Sequence, residues 1–183
     1  MNRRQVLQLS LMAALAPAAE VRAATQTAKD AGSAKKGLGL GGRAPDFSRR
    51  LRDLRCKWVY TWTGKKPEGL PDGTGFVPMI FKNHGNRQSI IDIANSAKKA
   101  GIKNLLGFNE PDQASQGNMT VAQALDAWPV LQETGLRLGS PGCVHPDNEW
   151  MKSFMEGARK RELKVDFVCV HSYGSTDADA FIR

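Results

Sequence analysis

From residue 37 onward the chain alternates short apolar runs with stretches whose apolar residues recur at helical spacing. Residues 37–40 predict a weak first strand, and residues 46–55, with Phe47, Leu51 and Leu54 on one face, a short helix. The aromatic and β-branched run Trp58-Val59-Tyr60-Thr61-Trp62 predicts a second strand. Residues 64–75, rich in Gly and Pro and without helical period, predict a loop. A third strand follows over 76–81, with Pro78 marking a bulge or an unpaired position. Ile90, Ile91, Ala94 and Ala97 share a face of a helix over 88–100 that Gly101 should stop. Residues 104–108 predict the fourth strand. Thr120 and Gln123 form a capping-box pair for a helix with Val121, Ala124, Leu125 and Trp128 inward, which Pro129 should kink or end. Residues 137–140 predict a weaker fifth strand, 149–161 a helix with Trp150, Phe154, Met155 and Ala158 inward, and 165–171 a sixth strand. Ser175 to Arg183 reads as the opening of one more helix, with Asp177 or Asp179 as its cap.

Near-continuous apolar strands alternating with helices indicate an α/β fold whose parallel sheet is buried on both faces. A closed (β/α)8 TIM barrel has eight strands and typically about 250 residues. Six strands in the 147 residues after Lys36 therefore predict an incomplete barrel, about six of eight strands present, with the helix after strand two missing and the C-terminus truncated. The competing architecture is an open, doubly wound six-stranded sheet, but Gly39-Leu40-Gly41-Gly42 lacks a full dinucleotide fingerprint.

Residues 1–23 read as a signal peptide: Arg3 and Arg4, an apolar stretch from Val6 to Ala19 and small residues around Ala23. The Arg3-Arg4 context resembles a twin-arginine leader, although Asn2 and Val6 depart from it. The stretch is too short for a permanent membrane anchor, so the expectation is export to the periplasm or outside the cell. Residues 24–36 read as a disordered linker, and 37–183 as the functional core. The formal charge of +8 falls to +6 without the leader, and the remaining basic residues are scattered among acids, which argues against a nucleic-acid groove. Cys56, Cys143 and Cys169 show no metal-binding spacing with His84, His145 or His171; buried thiols are the default, with a Cys143 to Cys169 bridge conceivable. No cofactor or metal is expected.

The stretch Leu105-Leu106-Gly107-Phe108-Asn109-Glu110-Pro111-Asp112 ends an apolar run in a carboxamide, a carboxylate and a proline. In parallel barrels catalytic groups sit at the C-terminal ends of strands, so Glu110 is a candidate for chemistry. A plain turn is the alternative, since Asn, Asp and Pro all favour turns.

Gly107-Phe108-Asn109-Glu110-Pro111-Asp112, Phe76-Val77-Pro78-Met79-Ile80 and Asp166-Phe167-Val168-Cys169-Val170-His171-Ser172-Tyr173-Gly174 resemble the Asl1-like glycosyl hydrolase catalytic core, glycoside hydrolase family 128. The resemblance covers residues 37–183 and implies retaining endo-β-1,3-glucanase chemistry on an irregular barrel. It implies that Glu110 is the acid/base and that Asn109 bonds the sugar 2-hydroxyl. His171 and Tyr173 would line the cleavage subsite, although Ser172 stands where an aromatic residue is common in the family. Trp62, at the end of strand two, is a candidate platform for a pyranose ring, with core packing as the alternative. Asn83 and His84 are weaker candidates at the same rim. Retaining glycosidases need two carboxyl groups about 5–5.5 Å apart. The resemblance puts the second at the end of a seventh strand, and no Glu follows Glu162. The expected function is therefore that of a hydrolase of β-1,3-glucan polysaccharide or oligosaccharide, with the chain of residues 1–183 itself inactive for want of the nucleophile. The alternative is a non-catalytic carbohydrate-binding or cell-surface protein.

Overall fold

The computed structural model describes residues 34–42, 44–82, 86–173 and Asp179. The leader, most of the linker, Asn83, His84 and most of the expected terminal helix lie outside the described residues. Nine elements follow in order: β1 (Gly37–Gly39), α1 (Phe47–Asp53), β2 (Trp58–Tyr60), β3 (Gly75–Phe76), α2 (Arg87–Lys99), β4 (Asn104–Leu106), α3 (Val121–Glu133), β5 (Arg137–Gly139) and α4 (Glu149–Lys160). All strand pairs are parallel, in the orders β1-β2-β3 and β4-β5. A bridge from Met79 to Leu106 joins the two groups, and one from Gly139 to Phe167 adds the sixth segment. The strands therefore run in sequence order with no reversal among the described residues, unlike a doubly wound sheet. No helix lies between β2 and β3, as the loop composition predicts.

The two faces of the sheet differ in kind. Leu38, Val59 and Phe76 lie in register on the outer face, as do Leu105 and Leu138. They pack into the helices, where Leu105, Phe108, Trp128, Leu131, Leu138 and Phe154 are essentially inaccessible. On the inner face rings lie over glycines: a Cβ on Gly37 would strike Trp58, one on Gly39 would meet the Tyr60 hydroxyl and Trp62, and one on Gly139 would meet Phe167 and Cys169. Large residues of one strand thus fit against small residues of the next.

Helix boundaries follow the predicted signals. Thr120 and Gln123 form the reciprocal capping box, and Gly101 takes φ +72° just past α2. Three expectations need correction. Pro129 does not end its helix: α3 runs through it to Glu133, held by the fully buried Trp128 and Leu131 on either side. Trp62 lies outside β2, because the chain leaves the sheet after Tyr60 and Trp62 adopts φ +50°. The sixth segment is not buried on both faces. Phe167 and Cys169 face Gly139, while Val168 and Val170, on the opposite side, are about half exposed. All three cysteines are free thiols.

Candidate active site

Glu110 follows β4 at a left-handed backbone position, φ +42°, a conformation that costs a non-glycine residue on the order of 1–3 kcal/mol and clusters at functional sites. Hydrogen bonds hold it there. Its N–H donates to the Gly142 carbonyl at 2.7 Å, and its own carbonyl accepts from Gln113 N–H at 3.0 Å. The preceding residues anchor the turn to both neighbouring strands: Asn109 N–H donates to Phe81 O, and Gly142 N–H to Phe108 O, each at 2.9 Å. The side chain is therefore set by a three-strand backbone weave, and only 7% of the residue is exposed.

Two residues from the end of the sixth segment meet that carboxylate. His171 Nδ1 lies 2.9 Å from Glu110 Oε1, and the Tyr173 hydroxyl donates to the same oxygen. The phenol and imidazole also approach each other at 3.3 Å. This donation to Glu110, ahead of burial, pushes the Tyr173 hydroxyl up to about 12. Both contacts converge on Oε1. A neutral phenol and a histidine fixed on one carboxylate oxygen suit a group that must exchange a proton with a substrate atom.

The surroundings add residues that sequence reasoning missed. Burial pushes the Tyr60 phenol up, with Cys169 and Glu110 contributing, so Tyr60 faces the same cluster from β2. Trp62 packs its ring at 4.9 Å from that of Tyr60 and lines a cavity of about 230 Å³ with Phe81, Lys82 and Ser89. Tyr60 could have been found, since it alternates with Val59 and shares a strand face with Trp58. Gly142 gave no local signal, yet a Cβ there would lie 2.7 Å from His171 Nε2. Its lack of a side chain is what seats the imidazole. Burial pushes the Cys169 thiol up to about 11 and that of Cys143 up to about 12, so both are neutral near pH 7.

Of the residues predicted from sequence, the structure gathers Glu110, His171 and Tyr173 by direct contact, while Trp62 packs against Tyr60. Asn109 is apart from that cluster. Its Nδ2 reaches Gln116 Oε1 at 3.4 Å, and its buried Oδ1 has no partner. Trp128 and Trp150 are packing residues, as expected: Trp128 lies edge-on to Phe108 and Phe154, and Trp150 stacks on Phe154. Among the described residues no second carboxylate contacts Glu110, and no His, Cys, Asp and Glu cluster could hold a metal ion. The nearby carboxylate in sequence, Asp112, bonds instead to Val144 and Asn148.

A family model described as "Glycosyl hydrolase catalytic core" matches residues 40–183. The chain is 28% identical over 150 residues to Alkali-sensitive linkage protein 1 of Schizosaccharomyces pombe, covering 78% of this chain and 27% of that protein. Among solved structures it is 41% identical, with a TM-score of 0.69, to a family 128 (subgroup I) endo-β-1,3-glucanase from Amycolatopsis mediterranei in complex with laminaritriose, over 82% of this chain and 63% of that one. A curdlan-specific exo-β-1,3-glucanase (subgroup III) from Blastomyces gilchristii, in complex with glucose, is 32% identical at a TM-score of 0.67, over 80% of this chain and 65% of that one. The chain thus spans under two thirds of the length of these glucanases and about a quarter of the yeast protein.

Proposed function

The chain belongs to the glycosyl hydrolase catalytic core family, and on that premise we propose that it carries the acid/base half of a retaining β-1,3-glucan hydrolase. The observation that carries this reading is Glu110: a buried carboxylate at a strand end, in a strained backbone conformation, bonded by His171 and Tyr173. Laminari-oligosaccharides bound to relatives about 40% identical supply the substrate class. In this reading Glu110 protonates the glycosidic oxygen and later takes a proton from water. Asn109, whose buried Oδ1 is unpaired, turns to the sugar 2-hydroxyl, and Trp62 stacks a pyranose ring. His171 and Tyr173 keep the carboxyl group aimed at the cleavage point.

The nucleophile is assigned to a carboxylate outside the described residues, at the end of a seventh strand. The sequential parallel strand order supports reading the fold as six strands of a (β/α)8 barrel lacking the helix after strand two. Export through the leader of residues 1–23 completes the reading; a reporter fused behind those residues should leave the cytoplasm, and retention would refute the export assignment.

Release of reducing sugar from laminarin by the gene's complete product tests the proposal. Removing a general acid/base typically costs about 10²–10⁴-fold, so Glu110→Ala and Glu110→Gln should each reduce turnover by that order. Wild-type rates in either variant would overturn it. Oligosaccharide binding with no hydrolysis by the complete product would instead favour a carbohydrate-binding protein.

A further inference from the structure

Asp112, two residues beyond Glu110, reaches across the site. Both its oxygens accept from Val144 N–H, at 3.1 and 3.2 Å, and Oδ2 also accepts from Asn148 Nδ2 at 2.7 Å. Asn148 is itself committed to the fold, because its Oδ1 caps α4 by accepting from Met151 N–H at 2.9 Å. One carboxylate thus ties the turn after β4 to the segment after β5 and to the start of α4.

The tied segment is the one that seats the candidate acid/base. Gly142, two residues before Val144, accepts from Glu110 N–H through its carbonyl and presents its bare Cα to the His171 imidazole. From these contacts we infer that Asp112 is a positioning residue: by bracing Val144 and Asn148 it fixes the Gly142 peptide, and through it the Glu110–His171 pair. The inference rests on Glu110 being the reacting group but names a device the acid/base reading does not require. A free aspartate after Glu110-Pro111 would serve a turn equally well, whereas three accepted hydrogen bonds to a segment 32–36 residues away serve registration of two strand ends.

The test reads the imidazole directly in the 183-residue protein, which has three histidines. The contact with Glu110 Oε1 commits His171 Nδ1 to one hydrogen-bonding role, which favours one arrangement of the ring proton over the other. Nitrogen-15 NMR of labelled histidine should show one His171 tautomer in the wild type and a tautomer mixture in Glu110→Ala, which sets the scale. Asp112→Asn keeps the volume but leaves one acceptor oxygen for two donors. It should lose the single tautomer while remaining folded by circular dichroism. Asp112→Ala should lose it more completely. A folded Asp112→Asn protein with the wild-type His171 spectrum would overturn the inference, even if Asp112→Ala failed to fold. The glucanase reading fails separately, through laminarin turnover that survives Glu110→Ala.

Discussion

Gly142→Ala probes how tightly the site is assembled. The added Cβ would stand 2.7 Å from His171 Nε2 and 3.1 Å from Cδ2, where ordinary contact begins at 3.4 Å. Gly142 does not lie in the left-handed region, so alanine imposes no backbone strain and the effect is purely steric. The peptide has little freedom to yield, because its N–H and carbonyl bond Phe108 and Glu110 at 2.9 and 2.7 Å. The ring must therefore give way by about 0.7 Å to restore that contact, enough to break the 2.9 Å contact with Glu110. A hydrogen bond to a charged group contributes about 1.5–3 kcal/mol. At 2–4 °C per kcal/mol for a chain of this size, the midpoint of thermal unfolding should fall by about 3–12 °C. Differential scanning calorimetry of the wild type, Gly142→Ala and His171→Ala measures it. The double variant should lose less than the sum of the singles, since both remove the same contact. A Gly142→Ala protein within about 0.5 kcal/mol of wild type, the usual range for a neutral surface change, would refute the seating argument.

Other consequences are simpler to check. With the Tyr173 hydroxyl pushed up to about 12 against about 10 in an unfolded chain, the folded state holds the proton more tightly. The stability this contributes is fully present below pH 10 and is lost as pH rises towards 12. Urea titrations across that window should show the decline in the wild type and a smaller one in Tyr173→Phe; identical curves would contradict the bond to Glu110. Thr120→Ala removes one arm of the capping box, whose Thr120 hydroxyl accepts from Gln123 N–H at 3.2 Å. It should destabilise by about 1 kcal/mol in chemical denaturation, and no change would show that α3 does not depend on its cap.

Periodicity made most elements legible. The capping box at Thr120, the stop at Gly101 and the inward stripe through Phe154 are local signals, and each appears where the residues place it. Glu110 was legible because a polar pair ends an apolar run. Its surroundings were not, because they come from chain segments far away in sequence. Nothing near Gly142 announces that a histidine 29 positions later will lie on it, and Asp112 looks like any turn residue until Val144 and Asn148 are seen at its oxygens. Pro129 is carried inside α3 although it costs about 3 kcal/mol, because the fully buried Trp128 and Leu131 beside it hold the helix to the core. The exposure of Val168 and Val170 is not legible locally, because hydrophobicity signals that a residue should be covered and no described segment covers theirs.

The central claim is that Glu110 is the proton donor of a β-1,3-glucan hydrolase. It is tested most directly by timing reducing-sugar release from laminarin by the gene's complete product, beside Glu110→Gln at equal folded concentration. The account predicts turnover by the wild type and a loss of about 10²–10⁴-fold in the variant. Equal rates in the two proteins would contradict it.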